Sequence, residues 1–475
     1  MFVRPILRAS FVASGAGSGV ISNGLSYFLL IYYSQVLGLD PALAGLAMLI
    51  LLVFDAVSDP VVGRWSDRLK HRLGRRHPFL FAAIVPTALA YYLLWSPPTL
   101  SQTGLFIYLL AVALVLRTAL TMHAVPFNAL LPEVTTDYDQ RTRLLNDAYS
   151  GSWFFGTIMA VAMYAYWLAD LPSEPPGSGV LRAEGYVQAG LVTGVLVLFF
   201  LAFAAFATRS IIPELAPPPP RSDSFVEMWR EGAATLNDRN FLAMVASGLM
   251  NAAAWGTSMA LWAYMQPYFW GFSTSDTSII LASQLLSAAL AFTLTPRLAA
   301  GREKKPVFIA LLLLAIAANT GPVFLELIGA FPGMGSPVRF HILVALGVVQ
   351  VLLIVMSSAI GASMIADIVE ARELFTGRRE EGLLFAVLSF TGKVATGIGA
   401  WVAGMLLSLI RFPQDSAATA VPPDTVARLG WVYGPTLAAL YGVSILALRY
   451  YRLDRAQHQS NLEMLAHSQL SESKP

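Results

Sequence analysis

The chain has 475 residues, of which 56% are hydrophobic and 13% are charged, and its formal net charge at pH 7 is +2. A soluble protein carries about twice that fraction of charged residues, so the composition excludes an ordinary soluble domain. The mean hydropathy of +0.61 and the long apolar runs instead predict an all-α polytopic membrane protein. The sequence contains no cysteine, which excludes disulfides and thiolate metal sites. Nothing in the charge pattern indicates nucleic acid as a partner; the expected surroundings are a lipid bilayer.

Apolar runs of membrane length recur along the chain and predict about twelve transmembrane helices. The first ten residues contain Arg4 and Arg8 but no short apolar core that leads to a small-residue cleavage site. We therefore expect a retained first helix rather than a removable signal peptide. The expected helix centres are Ser26, Leu51, Ala88, Ala113, Met159, Leu196, Ala253, Ala289, Leu314, Leu346, Ala400 and Ala439.

Positively charged side chains alternate between the two sides of this predicted topology. The connection 64–76 is dense in Arg and Lys, whereas the connections near Gly38, Pro97 and Phe272 contain neither residue. Because cytoplasmic loops carry the excess of Lys and Arg, we expect a multi-pass protein of a bacterial inner (plasma) membrane with both termini in the cytoplasm. Further basic residues on the predicted cytoplasmic side are Arg141, Arg143, Arg209, Arg230, Arg302, Lys304, Lys305, Arg378, Arg379, Arg452 and Arg455.

A proline-rich connection divides the chain into two halves. We expect a six-helix bundle over residues 1–210, a cytoplasmic linker over 211–240, a second six-helix bundle over 241–452 and a cytoplasmic tail over 453–475. The run Pro217–Pro220 is expected to be stiff and extended, and the polar tail is expected to be disordered. A short helix on the membrane surface is expected within the linker, with the apolar positions Phe225, Met228 and Trp229.

Two carboxylates lie four residues apart inside the strongly apolar segment 43–62. They are Asp55 and Asp59, and Pro60 follows the second. On a helix this spacing places both side chains on one face, one turn apart. A charge at bilayer depth costs roughly 3 kcal/mol, and acidic residues there usually mark an ion or substrate path. We therefore expect a cation or a proton between them, to which a carbonyl freed by Pro60 adds another oxygen. The alternative is that both acids reach water at a helix end, beside the basic loop.

Three further polar side chains at predicted membrane depth bear on this pair. Arg117 and Thr121 lie four residues apart on one face of the fourth span, and Lys393 lies in the eleventh span. Arg117 is expected either to pair with Asp55 or Asp59, or to bind an anionic group of a substrate. Lys393 also needs a partner at that depth. A cluster of two acids and two bases would change its charge balance when a cation or proton binds.

Neutral polar and aromatic residues in the spans are weaker candidates for a solute site. Asn23, Asn128 and Asn251 either line a cavity or form hydrogen bonds between helices. Trp255 either stacks on a sugar ring or an acyl chain, or packs as an ordinary interface aromatic. The sequence has no metalloprotease motif, nucleophile elbow or nucleotide-binding glycine loop, so we expect no enzyme and no cofactor besides a coupling ion.

Three stretches carry a likeness to a known family. The first is residues 55–63 with the basic loop through Pro78, the second is residues 125–143, which begin Val-Pro-Phe-Asn, and the third is residues 377–393. In combination they resemble the glycoside–pentoside–hexuronide:cation symporter family, whose melibiose-permease-like members belong to the major facilitator superfamily. The resemblance implies the major facilitator fold, with about twelve transmembrane helices in two six-helix bundles and alternating access to a solute between them.

The resemblance also implies roles for individual residues. Asp55, Asp59 and Thr121 would form the site of the coupling cation, and Lys393 would lie beside it. Carboxylate and hydroxyl oxygens are hard ligands that suit Na⁺. The same carboxylates can carry a proton, so Na⁺ and H⁺ both stay open as the coupling ion.

Other positions depart from the family pattern. Gly19 and Ala124 stand where melibiose-type transporters have their sugar-binding aspartates, and Tyr149 stands where an arginine of the sugar site occurs. The disaccharide site is therefore not carried over, and Arg117 favours an anionic solute such as a uronide or an amphipathic lipid with a phosphate head. The candidate substrate contacts are Arg117, Asn23, Asn128, Tyr149, Trp255 and Asn251.

Together these observations predict a secondary active symporter, functional as a monomer, that imports a sugar, glycoside or uronide together with a cation. One alternative is a cation-coupled carrier of a lysophospholipid or another amphipathic anionic solute. A more distant alternative is a channel or a non-transporting membrane scaffold. A polar central cavity would favour the sugar and an apolar lateral cleft the lipid, whereas accumulation driven by a gradient separates a carrier from a channel.

Overall fold

The computed structural model describes residues 4–135, 137–214, 238–299, 301–376, 381–414 and 420–472. All regular structure in these ranges is helical, and they contain no strand. The linker helix predicted around Phe225, Met228 and Trp229 lies outside the described residues, as do Arg230, Arg378 and Arg379. Their predicted positions therefore stay predictions.

Twelve helices of 19 to 40 residues run through the described part of the chain. At 1.5 Å per residue, about 20 residues suffice to cross the hydrocarbon core of a bilayer. Each of the twelve predicted centres lies in a different one of these helices. They are α1 (Pro5–Ile31), α2 (Pro41–Arg68), α3 (His77–Trp95), α4 (Gln102–Asn128), α5 (Tyr138–Ala162), α6 (Ala183–Ala207), α7 (Arg239–Tyr264), α8 (Thr274–Ala299), α9 (Lys304–Leu327), α10 (Pro337–Thr376), α11 (Glu381–Leu409) and α12 (Pro423–Ala447).

Eight helices in the described residues are both long and apolar enough to cross a membrane. The other four of the twelve are α1, α5 and α7, which contain glycine, serine and asparagine, and α8, which contains several serines and threonines. These small and polar residues lower the hydropathy of a helix without shortening it. They also allow close helix contacts of the kind found in membrane proteins.

A thirteenth helix, α13 (Arg455–Glu472), follows the last long helix. The sequence analysis predicted a disordered tail here, and for the described residues that prediction is wrong. The side chain of Asp454 accepts a hydrogen bond from the Gln457 backbone N–H at 2.8 Å. Such a cap satisfies a backbone donor that the start of a helix leaves open.

The chain folds into two compact units, each built from segments that are separate in the sequence. The first unit comprises Met1–Ser222, Gly256–Ala282 and Gly397–Leu429. The second unit comprises the remaining segments, Asp223–Trp255, Ser283–Thr396 and Gly430–Pro475. One boundary between the units lies between Ser222 and Asp223, and the others fall inside α7, α8, α11 and α12. The predicted division into halves at residues 211–240 stays a prediction.

Glycines in the first unit bring the backbones of α1 and α5 into contact. A Cβ atom at Gly15 would lie 2.0 Å from the carbonyl oxygen of Ala148, and one at Gly19 would lie 2.1 Å from that of Ser152. Gly151 approaches the α1 backbone in the same way, at 2.2 Å. Only glycine fits at such positions, because a carbonyl oxygen of a neighbouring helix cannot rotate away as a side chain can.

A second glycine contact in the first unit joins α2 to α11. A Cβ atom at Gly404 would lie 2.2 Å from the Pro41 carbonyl oxygen, and one at Gly397 would lie 3.1 Å from the Leu49 Cα atom. This contact uses the first half of α2 and the second half of α11. In the predicted topology both segments lie in the extracellular half of the membrane.

The second unit has its own apolar core. Phe241 of α7, Phe308 of α9, and Met356 and Met364 of α10 are all buried in one cluster. The hydroxyl groups of Ser247 and Ser444 lie 2.9 Å apart and join α7 to α12 beside this core. The long helix α10 and the C-terminal helix α13 also contact each other in this unit.

Candidate cation site and its surroundings

The two carboxylates of α2 meet one hydroxyl group of α4 in the first unit. The Thr121 Oγ1 atom lies 3.1 Å from Oδ1 of Asp55 and 3.1 Å from Oδ1 of Asp59. Asp55 is 6% exposed and Thr121 is 2% exposed, whereas Asp59 is half-buried. A hydroxyl group carries a single hydrogen, so Thr121 can donate to only one of the two carboxylates at a time.

The helical geometry of α2 explains why the two acids converge. The helix continues through Pro60, which keeps Asp55 and Asp59 one turn apart on the same face. Because proline has no backbone N–H, Pro60 cannot donate to the carbonyl oxygen of Ala56, four residues earlier. The local sequence thus places two carboxylates and a carbonyl without its usual helical donor within one turn.

Arg117 lies one turn before Thr121 on α4. Its Nη1 atom is 3.8 Å from Oδ2 of Asp55, and its side chain is 13% exposed. The Nε atom is buried and has no hydrogen-bond partner among the described residues. The formal charges of Asp55, Asp59 and Arg117 sum to −1, before any other group is counted. That sum matches the charge that one bound monovalent cation or proton would neutralise.

The other predicted site residues lie on several different helices. Lys393 is half-buried on α11 and belongs to the second unit, as do Asn251 and Trp255 of α7. Asn128 is exposed at the end of α4, and Tyr149 on α5 is 72% exposed. Their roles as solute contacts stay predictions.

Asn23 on α1 is the predicted substrate candidate with the clearest surroundings. Its Nδ2 atom lies 2.8 Å from where a Cβ atom would stand at Gly156 of α5. The same helix pair explains why Gly19 cannot be replaced by a larger residue, because its position faces the Ser152 carbonyl. Gly19, predicted to stand at the position of a sugar-binding aspartate, is thus a point of close helix packing.

Several buried polar atoms of the first unit lack a hydrogen-bond partner among the described residues. They include the indole N–H groups of Trp153 and Trp262 and the Oε1 atom of Gln266. The Trp262 ring meets the Tyr27 ring edge to face, with centroids 6.2 Å apart. Indole rings stack on sugar rings and their N–H groups donate hydrogen bonds, so these groups suit a polyhydroxyl solute.

The basic loop after α2 is tied to the segment after α4. Glu133 Oε1 lies 2.7 Å from Arg75 Nη2 and 2.6 Å from Arg76 Nη2, and Asp67 lies 3.4 Å from Arg76. Burial lowers the pKa of the Arg76 guanidinium, while the Glu133 carboxylate acts in the opposite direction. The sequence analysis treated this segment only as a positively charged loop and did not predict the role of Glu133 as its partner.

Sequence reasoning also missed an acidic side chain between α5 and α6. Asp170 accepts hydrogen bonds from the backbone N–H groups of Gly177, Gly179 and Thr274, at 2.8, 2.8 and 3.0 Å. The Thr274 hydroxyl accepts one from the Asp170 N–H at 2.9 Å. These contacts link the α5–α6 connection to the start of α8 within the first unit. The available signal was an aspartate seven residues before a Gly-x-Gly sequence, in a proline-rich connection.

Comparison with known proteins gives consistent results over nearly the whole chain. The profile described as MFS/sugar transport protein matches residues 10–455. An uncharacterized symporter of Synechocystis is 24% identical, over 95% of this chain and 94% of that protein. An isoprimeverose transporter of Lactiplantibacillus pentosus is 24% identical over 95% and 89%, and a glucuronide carrier protein homolog of Escherichia coli is 24% identical over 85% of each chain.

A solved structure has the same fold. It is an inward-facing bacterial homologue of the human lysosomal transporter Spinster, with a TM-score of 0.64 and 14% identity over 97% of this chain and 98% of that one. The helices, the buried charges and these likenesses define a multi-pass membrane transporter rather than an enzyme. The chain belongs to the MFS/sugar transport protein family, as a melibiose-permease-like symporter of the major facilitator superfamily. The predicted family and all-α major facilitator fold are thereby confirmed, as is sugar-type symport with a cation in its general form.

Proposed function

We propose that the protein imports a glycoside or uronide across a bacterial inner membrane, together with Na⁺ or H⁺ bound by Asp55, Asp59 and Thr121. The observation that carries this proposal is the approach of one hydroxyl group to two carboxylates inside an apolar helix pair. A cation bound between the carboxylates would relieve their mutual repulsion. Its binding and release would change the net charge of the site. This change in charge is what can couple ion binding to a conformational equilibrium.

The ligand set suits a small hard cation. Two carboxylates, a threonine hydroxyl and the Ala56 carbonyl are all oxygen donors, which Na⁺ prefers. Protonation of one carboxylate would satisfy the same geometry, because the new O–H group could donate across the gap. In this proposal Lys393 acts beside the pair by tuning its charge, as the family resemblance implies.

The solute class follows from Arg117 and the indole groups. An arginine with a buried Nε atom that lacks a partner can receive an anionic group. The N–H groups of Trp153 and Trp262 can donate to sugar hydroxyls. Relatives named as an isoprimeverose transporter and a glucuronide carrier homolog support a glycoside or uronide. Asn23, Asn128, Tyr149, Asn251 and Trp255 stay candidate contacts.

In an alternating-access mechanism, two sets of contacts in the first unit would close the extracellular side. The glycine contact between α2 and α11 and the hydrogen bonds of Asp170 with Thr274 lie at helix ends predicted to be extracellular. In a rocking transporter with two bundles, over residues 1–210 and 241–452, these contacts have to break before solute enters from that side. Both termini are placed in the cytoplasm in this proposal.

Ion binding to purified protein tests the assigned site. We expect Na⁺, or a fall in pH if H⁺ is the coupling ion, to stabilise the protein against thermal unfolding through linkage. Thr121→Ala should raise the ion concentration needed for half of this effect about tenfold, the cost of roughly one charge-assisted hydrogen bond. Thr121→Ser should restore it, because serine keeps the hydroxyl group.

Substitution of single carboxylates tests the site further, with an exposed carboxylate as the matched control. Asp55→Asn and Asp59→Asn should abolish the ion-dependent shift, whereas Asp139→Asn, at an exposed carboxylate at the start of α5, should retain it. A full ion-dependent shift in both Asp55→Asn and Asp59→Asn would place the coupling ion elsewhere and refute the assignment.

A further inference from the structure

Three side chains with metal-ligating atoms converge in the second unit. Asp367 and Glu370 lie one turn apart on α10, and His458 comes from α13. The His458 Nδ1 atom is 3.4 Å from Oε2 of Glu370 and 3.6 Å from Oδ1 of Asp367. Ligand atoms around a tetrahedral Zn²⁺ ion with bonds near 2.05 Å are about 3.3 Å apart. We propose that these residues bind a divalent transition-metal ion such as Zn²⁺, whose tetrahedral ligand spacing the two distances to His458 approach.

Unmet hydrogen bonding at the ligand atoms supports a ligand between them. Oε2 of Glu370 and Nδ1 of His458 are both buried, and neither has a hydrogen-bond partner among the described residues. A buried polar atom without a partner has lost its hydrogen bonds to water without compensation. An ion coordinated by both atoms compensates that loss at each of them. Asp367, whose side chain is buried, supplies the third ligand.

The helices hold these ligands outside the hydrocarbon core. The 40 residues of α10 make a helix of roughly 60 Å, about twice the thickness of the core. Its last turns, which carry Asp367 and Glu370, therefore extend past the membrane on the predicted cytoplasmic side. On α13, the His458 backbone N–H donates to the Asp454 carbonyl at 3.0 Å. This bond fixes His458 in the first turn of the capped helix.

A cavity gives an ion access to the cluster. Its volume is about 310 Å³, and its lining includes Asp367, His458, Lys304, Glu303 and Arg455. This space admits the water molecule that a three-ligand site needs to complete a tetrahedron. The cavity therefore borders two of the three proposed ligand residues.

Lys304 would compete with a metal ion for the Asp367 carboxylate. Its Nζ atom lies 2.6 and 2.8 Å from the two carboxylate oxygens of Asp367. A metal ion on Oδ1 would leave Oδ2 for the ammonium group, and the two positive charges would repel each other. We expect Lys304→Gln to bind the metal ion more tightly than the unaltered protein. If these residues formed only a structural salt bridge, removing the Lys304 charge would not be expected to increase the affinity for a metal ion.

The bound ion would fasten α13 to the end of α10, since His458 is the ligand that the tail contributes. The inference concerns a site separate from Asp55 and Asp59 and does not depend on the transported solute. It can therefore be tested by binding alone, without transport.

The test uses the full-length protein in detergent after treatment with a chelator. Calorimetric titration with Zn²⁺ should show one saturable site, and Co²⁺ should give the strong visible absorption of a tetrahedral N/O site. His458→Ala should weaken Zn²⁺ binding by at least about tenfold. Loss of a residue that only orients a metal ligand already lowers metal affinity by about that factor, and His458 is proposed to be a ligand itself. Zn²⁺ should also slow proteolysis within α13. His341→Ala, at an exposed histidine, is the matched control and should bind as the unaltered protein does.

Several outcomes would overturn the inference. They are the lack of a saturable Zn²⁺ site in the unaltered protein, equal affinity of His458→Ala and the control, and weaker binding in Lys304→Gln. Glu370→Gln provides a second ligand variant if His458→Ala fails to fold. Equal affinity in that variant would likewise mean that Zn²⁺ binds elsewhere on the protein.

Discussion

Arg117 can act at the candidate site in two ways: by its charge on Asp55 and by binding an anionic solute. Its Nη1 atom approaches Asp55 at 3.8 Å, a distance at which the Coulomb attraction remains but no hydrogen bond forms. Its buried Nε atom is left for another partner. The arginine therefore lowers the negative charge that a cation would meet and can offer a guanidinium edge to an anionic solute.

Removing this charge should separate the two roles. Arg117→Gln should tighten binding of the coupling ion by about tenfold, the usual effect of removing one nearby like charge. The same change should raise the KM for an anionic glycoside such as a methyl glucuronide and leave that for a neutral glycoside nearly unchanged. Thermal shifts with the ion and uptake of the two solutes measure these effects. Unchanged transport in Arg117→Ala would refute a role of this residue in solute binding.

Individual residues differed in how far the sequence could predict their surroundings. The four-residue spacing of Asp55 and Asp59 was enough to place them on one face, since a helix fixes that relation locally. The approach of Thr121 to both came only from the family resemblance, because the pairing of α2 with α4 is a tertiary contact. The exposure of Tyr149 and Asn128 could not be predicted either, since it depends on which helices cover them.

Helix pairs in the first unit are held at backbone contact by glycine. In the α1–α5 pair, Gly15 and Gly19 of α1 and Gly151 of α5 each face a carbonyl oxygen of the other helix. Such contacts maximise van der Waals packing where lipid offers no hydrophobic drive. They also leave no room for side chains, so the solute has to be bound from other faces of these helices.

A substitution at this contact should be costly. Gly19→Ala would place a Cβ atom 2.1 Å from the Ser152 carbonyl oxygen, and we expect a loss of about 2 kcal/mol, typical of overpacking. Gly248→Ala on α7 is the control, because among the described residues nothing beyond its own helix turn lies within 4 Å of the added Cβ. It should be neutral or stabilising by about 0.5–1 kcal/mol. Thermal unfolding followed by tryptophan fluorescence measures both. Equal melting temperatures of the two variants would contradict the packing argument.

The elements themselves were largely predictable, and their ends were not. Hydropathy and length placed all twelve centres, because a bilayer demands long apolar helices that satisfy their own backbone. Hydropathy is a weaker signal for α1, α5, α7 and α8, because their small and polar residues lower the mean hydropathy of the helix. The helix α13 was missed because its order depends on the Asp454 cap and on contacts with α10, which no local pattern reveals.

At the scale of the whole molecule, transport requires ion binding and solute binding to favour the same conformational change. The first unit contributes the candidate ion site and the contacts that close the predicted extracellular ends of α2, α8 and α11. The fold of the family was predictable from three short motifs, yet the solute was not. The proposed substrate contacts come from several helices, so no short motif contains them all.

The central claim is that occupation of the Asp55–Asp59 pair drives uphill import. A neutral or anionic glycoside found by thermal-shift screening would be followed into proteoliposomes under an imposed Na⁺ or pH gradient. The account predicts that the unaltered protein accumulates the solute above the external concentration, and that Asp59→Asn exchanges it across the membrane without accumulation. Mere equilibration of the solute under both gradients, or full accumulation in Asp59→Asn, would contradict it.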